Sequence, residues 1–213
     1  MNFRITKSLR GLLRDYQRFG FKWLKTMDYY KLGGILADDM GLGKTIQMLA
    51  LLLSSRQEKG PAPALVVVPT SLVHNWCAEL DKFTPELKYI VISGTKEERR
   101  ELIGKIPEYD LAITSYPLIR RDIDLYSDIS FRYCILDEAQ HIKNPFSGNA
   151  RSVKQIKAEV RFALTGTPME NNLHELWAIF DFVLKGYLYS YNKFTEKYIR
   201  AANEEDGQDV LND

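Results

Sequence analysis

The chain has 213 residues, of which 45% are hydrophobic and 27% charged, and a net charge of +1. That profile fits an ordinary globular protein with room for one large α/β domain or at most two small ones, and it excludes a mainly disordered or fibrous chain. The longest purely apolar run, Met48 to Leu53, is far too short to span a bilayer; the start Met1-Asn2-Phe3-Arg4 carries no secretion signal, and Cys77 and Cys134 lack neighbours at metal-ligand spacing. These features point to a cytoplasmic protein with reduced cysteines and no membrane partner.

The charge is unevenly divided. The stretch from Asn203 to Asp213 carries five acids and no base, so the rest of the chain sets 29 bases against 23 acids, a net +6. A body that basic is compatible with a phosphate-bearing partner without demanding one.

In chain order, the first periodic stretch is Leu13 to Leu24, which alone reads as an amphipathic helix with Gln17 exposed. Next come the short apolar strand Gly34-Ile35-Leu36 and the run Asp38-Asp39-Met40-Gly41-Leu42-Gly43-Lys44-Thr45, which opens the helical pattern Thr45 to Ser54. Strand, glycine-rich turn and helix are the context a phosphate-binding loop requires. The backbone of Asp39, Met40, Gly41, Leu42 and Gly43 curls so that N–H groups face phosphate oxygens, Lys44 reaches the β and γ phosphates, and Thr45 offers its hydroxyl to Mg2+. Asp38 departs from the pattern G-x-x-x-x-G-K-[ST] by standing where its first glycine belongs. The competing reading is a plain strand-to-helix turn with a chance lysine.

Further strands are expected at Ala64 to Val68, Tyr89 to Ile92, Leu111 to Thr114, Tyr133 to Leu136 and Arg161 to Leu164. Between them lies a helix over Leu72 to Phe83, where Leu72, Trp76, Leu80 and Phe83 recur along one face and Thr84-Pro85 stops the helix. Alternating strands and helices predict an α/β fold whose mostly parallel central sheet is flanked by helices on both faces. The strand Tyr133 to Leu136 runs into Asp137-Glu138-Ala139-Gln140-His141, whose carboxylates would share the phosphate loop's crevice at the C-terminal sheet edge. There Asp137 would hold Mg2+ through its water shell and Glu138 would orient or deprotonate the attacking water. The last strand leads into Leu164-Thr165-Gly166-Thr167-Pro168-Met169-Glu170-Asn171-Asn172-Leu173-His174-Glu175-Leu176-Trp177.

Taken together, Ala37-Asp38-Asp39-Met40-Gly41-Leu42-Gly43-Lys44-Thr45, Asp137 to His141 and the run from Leu164 to Trp177 resemble the SWI/SNF-type ATPases of helicase superfamily two. The resemblance extends from Leu13 to about Tyr198, and in that family an acidic residue commonly stands where Asp38 does. It implies a RecA-like P-loop lobe, residues 1–202, with ATP and Mg2+ as ligands and Lys44, Asp137 and Glu138 as catalytic residues. The segment 203–213 would then lead to a second RecA-like lobe, absent here, that supplies arginine fingers. Leu13-Arg14-Asp15-Tyr16-Gln17-Arg18 resembles the family's Q motif, which makes Gln17 the adenine reader and Arg14 a base-stacking candidate. Thr165, Gly166 and Thr167 take a coupling role.

Pro69-Thr70-Ser71-Leu72-Val73-x-Asn75-Trp76 resembles motif Ia, and Ile113-Thr114-Ser115-Tyr116 resembles a later motif near the nucleic-acid track. Thr70 and Ser71 thereby become phosphate contacts, although the same residues suit an ordinary helix cap, and Arg120 and Arg121 join them. The resulting expectation is the first lobe of a motor that translocates on double-stranded DNA, sequence-independently. A strand-separating helicase lobe and a nucleotide-gated interaction module are the alternatives.

Overall fold

The computed structural model describes residues 3–169 and 173–200. Glu170, Asn171, Asn172 and the acidic segment 203–213 lie outside the described residues. All six expected strands are present: β1 (Gly34–Leu36), β2 (Ala64–Val68), β3 (Tyr89–Val91), β4 (Leu111–Ser115), β5 (Ser130–Leu136) and β6 (Lys157–Leu164). They pair in the order β1-β6-β5-β2-β4-β3, and every pairing is parallel. The sheet is therefore wholly parallel among the described residues rather than mostly so.

The strands run as continuous apolar stretches because both faces are covered. On one face, Val66, Val68, Ile113, Ile135, Phe162 and Leu164 pack against α1 (Asp15–Tyr29), α2 (Lys44–Lys59) and α3 (Val73–Phe83). On the other, Leu65, Val67, Ala112, Cys134, Leu136 and Ala163 meet α4 (Lys96–Gly104), α5 (Tyr116–Asp122), α6 (Gly148–Gln155) and α7 (Leu173–Val183). Helix α2 is buried from Ile46 through Ser55, so it is a core helix, enclosed rather than amphipathic. Each of its large apolar side chains contributes about 1.5–3 kcal/mol by leaving water.

Two expected strands begin too late. β5 starts at Ser130 and β6 at Lys157, and their first halves, Ser130-Phe131-Arg132 and Lys157-Ala158-Glu159-Val160, mix exposed polar with buried apolar residues. The sheet outgrows its helical cover at that edge, which hides the strands from a search for apolar runs. Helix α3 also starts later than expected, because Thr70–Leu72 forms a 3-10 turn before it, and it ends at Phe83 as Thr84-Pro85 requires.

Parallel strands place all their C-terminal ends on one edge. Residues 38–43, expected to form a phosphate loop, follow β1, Thr70 and Ser71 follow β2, Tyr116 follows β4, Asp137 follows β5 and Thr165 follows β6. Ion pairs dock α1 beside α2: Lys59 Nζ lies 2.7 Å from the buried carboxylate of Asp28, and the buried Lys25 Nζ lies 2.6 Å from Glu58.

Candidate functional site

An open cleft of about 320 Å³ lies on that edge, lined by Met40, Gly41, Gly43, Lys44, Thr45, Leu72, Asn75, Glu79, Asp137 and Glu138. The loop that forms its floor turns through two left-handed glycines, Gly41 (φ 81°) and Gly43 (φ 76°). The positive φ favours glycine at position 43, and a side chain there would also come within 2.5 Å of Gln17 Nε2 and push that amide aside. Lys44 is buried, and its ammonium donates to the carbonyls of Asp38 (2.8 Å) and Asp39 (3.2 Å).

The acid at position 38 has a structural partner. Gln47, one turn into α2 and fully buried, donates from Nε2 to Asp38 Oδ2 at 2.8 Å and to the carbonyl of Gly43 at 3.3 Å. One amide thus bridges the beginning and end of the loop, a clasp that a leading glycine could not provide. Its other atom, Oε1, has no hydrogen-bond partner and lies where a side chain on Gly20 would have to be. Sequence reasoning missed Gln47; the available signal was an amide within a helix otherwise filled by apolar residues.

Gln17 and its neighbour hold the loop from the α1 side. The Gln17 amide donates to the carbonyl of Leu42 at 3.0 Å and accepts from the backbone N–H of Arg14 at 3.0 Å, while the Tyr16 hydroxyl donates to the same Leu42 carbonyl at 3.0 Å. Arg14 itself is exposed, at the N-cap of α1. Both polar ends of Gln17 are thus engaged with protein groups in this structure.

Asp137 sits at the end of β5 with both carboxylate oxygens engaged. Oδ2 accepts from Trp76 Nε1 at 2.8 Å, and Oδ1 accepts from the backbone N–H of Glu138 at 2.9 Å. Burial raises the Asp137 pKa above the ordinary carboxylate range, against the two hydrogen bonds that lower it. Glu138 adopts a left-handed conformation (φ 49°, ψ 56°), a strain of about 1–3 kcal/mol that redirects the chain after the strand. Its carboxylate accepts from Gln140 Nε2 at 2.6 Å, Gln140 Oε1 accepts from the Thr165 hydroxyl at 3.0 Å, and Thr165 Oγ1 accepts from the backbone of Thr167 at 3.1 Å. A side chain at Gly166 would touch Met40, so this turn rests against the loop after β1.

Glu79 is a third carboxylate in the cleft that the sequence did not reveal. Burial raises its pKa, the Asn75 amide hydrogen-bonded at 3.2 Å lowers it, and the charge of Asp137 raises it further. The predicted nucleic-acid residues lie outside the cleft: Thr70, Ser71, Arg120 and Arg121 are all exposed, and the two arginines line a separate depression with Pro117 and Asn149. Among the described residues no cluster of His, Cys, Asp and Glu forms a metal-ligand set, and no helix is long and apolar enough to cross a membrane.

The profile of the SNF2-related domain matches residues 16–213. The chain belongs to that family. It is 41% identical over 194 residues to an uncharacterized ATP-dependent helicase of Mycoplasma pneumoniae, covering 91% of this chain and 19% of the relative. It is 39% identical over 207 residues to the ISWI chromatin-remodeling complex ATPase ISW1 of Saccharomyces cerevisiae, covering 95% and 18%. The Sulfolobus solfataricus SWI2/SNF2 ATPase core in complex with dsDNA superimposes with a TM-score of 0.86 at 38% identity, over 96% of this chain and 43% of that one. This SNF2-related chain spans about a tenth to a fifth of the length of the curated relatives it matches. The RecA-like fold expected from the motifs agrees with these matches.

Proposed function

We propose that residues 1–202 are the ATP-binding first lobe of an ATP-dependent motor on double-stranded DNA. The observation that carries this reading is the convergence of Lys44, Thr45, Asp137 and Glu138, from two separate strand ends, on one cleft. The left-handed glycines let the loop close around a polyphosphate, and Lys44 exchanges its carbonyl partners for phosphate oxygens. Mg2+, when bound, neutralises charge gathering on the phosphate oxygens. Asp137 and Thr45 fit that ion: both line the cleft, and each Asp137 oxygen accepts one protein N–H and keeps further lone-pair capacity. Glu138 orients the attacking water and takes its proton, held by Gln140. Thr165, Gly166 and Thr167 relay the state of that carboxylate to the turn after β6.

Gln17 and Arg14 stand at the adenine side, where Gln17 first has to release an existing partner to read a base edge. Thr70, Ser71, Arg120 and Arg121 contact duplex phosphates without reading sequence, a role supported by their exposure, by their place on the segments that follow β2 and β4, and by likeness to a dsDNA-bound core. The cleft is open on one side, where a second lobe of the same protein would close it. A strand-separating helicase is the second reading, favoured by the helicase names of several relatives. A steady-state ATPase assay with and without duplex, paired with a strand-displacement assay on the full-length protein, tests both: duplex-stimulated turnover without displacement is expected. Turnover indifferent to duplex would overturn the DNA reading, and efficient displacement would favour the helicase.

A further inference from the structure

Asp137 receives a hydrogen bond from each of the two segments that lead to the candidate duplex contacts. Trp76 lies five residues beyond Ser71, on the first turn of α3, and its Nε1 donates to Asp137 Oδ2 at 2.8 Å. Tyr116 opens α5, four residues before Arg120, and its hydroxyl donates to the backbone carbonyl of Asp137 at 2.8 Å. Both side chains are fully buried, so neither reports to solvent directly. The backbone N–H of Asp137 donates to the carbonyl of Val67 at 2.9 Å, which fixes it to the end of β2, the strand that feeds Thr70 and Ser71. Leu72, Asn75 and Glu79, on the same stretch as Trp76, line the nucleotide cleft.

A buried indole needs an acceptor and a buried phenol prefers one, so each bond taken alone has a packing explanation. Both reach Asp137 because β2, which leads into α3, lies between β4 and β5 in the sheet, so the two segments that carry the candidate duplex contacts converge on one residue of the nucleotide cleft. Hydrogen bonds weaken steeply with distance and angle, so displacement of α3 by a fraction of an ångström changes how the Asp137 carboxylate is held, and displacement of α5 changes how the backbone that carries it is held.

We propose that Trp76 and Tyr116 are positioning residues that tie occupancy of the duplex track to the orientation of the Asp137 carboxylate in the nucleotide cleft. The proposal rests on the duplex-binding reading above and adds the path by which the two sites communicate. Communication of this kind is a factor by which each ligand changes the other's affinity, and the factor is the same in both directions.

The test uses full-length protein carrying W76F, Y116F or both, with AMP-PNP and Mg2+ as nucleotide and a random-sequence duplex as DNA. Nucleotide affinity is titrated with and without saturating duplex, and duplex affinity with and without saturating nucleotide. For the unaltered protein the two ratios should agree and lie within roughly 5 to 150-fold. Each single variant should reduce the ratio at least about threefold, and the double variant should bring it near one, with either ligand still binding alone. A purely structural role would lower melting temperature and weaken binding while leaving the ratio intact, and that result overturns the proposal. If W76F fails to fold, Y116F, which removes a single hydroxyl, decides by the same criterion. An unaltered protein that binds duplex with a ratio of one would refute the coupling alone, whereas no duplex binding at all would refute the functional reading beneath it.

Discussion

In the proposed site, Lys44 and Gln47 divide the work of the loop after β1. Lys44 carries the charge, so K44A should weaken Mg-ATP binding by about 10-fold or more, as measured by calorimetry, because a charge-assisted contact is worth about 1.5–3 kcal/mol. Gln47 carries the shape: D38A and Q47A should each destabilise the chain, and their effects should fall short of additivity by about 1 kcal/mol in urea denaturation. Strict additivity would mean that the 2.8 Å contact between them holds nothing. Glu79 gives a pH signature. Its folded-state pKa is raised, so the folded chain binds that proton more tightly than the unfolded one, and the resulting penalty is absent below the ordinary value of 4.5 and full above the raised one. E79Q should therefore raise the melting temperature at pH 7 by up to ~2 °C and leave it unchanged at pH 4, since the group is only partly buried and solvent screens it. That Lys44, Thr45, Asp137 and Glu138 share one cleft was legible in the sequence, because the motifs that carry them follow strands whose C-terminal ends lie on one edge. Gln47, Glu79 and the tie from Trp76 were not, because each depends on which helix face meets the loop, and only the packed structure determines that.

Between elements, the junction of α1 and α2 decides where the loop sits. Asp28 is almost fully buried and owes its charge balance to Lys59. K59M should cost about 2 kcal/mol, roughly 5 °C in melting temperature, by stranding that carboxylate, and it should also weaken nucleotide binding because α1 carries the Gln17 contact to Leu42. Unchanged nucleotide affinity in a destabilised K59M would show that α1 supports the fold without shaping the site. Strand identities were legible because burial on both faces produces unbroken apolar runs such as Ala64 to Val68. The starts of β5 and β6 were not, since exposed Ser130 and Lys157 resemble loop residues until their parallel partners are known. Sheet order was likewise hidden: β2 pairs with β4 and β5, and no local pattern encodes that choice.

For the whole molecule, the proposed reading makes the cleft one half of a site. Phosphoryl transfer depends on positioning and on neutralising charge at the equatorial oxygens, and an arginine supplied across a cleft can contribute about 10³ to 10⁵ in rate. The 213-residue chain should accordingly bind Mg-ATP weakly and turn it over negligibly, although Lys44, Asp137 and Glu138 are all in place. The most direct test is steady-state ATP turnover, with and without duplex DNA, by this chain and by the full-length protein, each also as E138Q. Turnover is expected only in the full-length protein, rising with duplex and abolished by E138Q while nucleotide still binds. Full duplex-stimulated turnover by the 213-residue chain alone, or undiminished turnover in E138Q, would contradict the account.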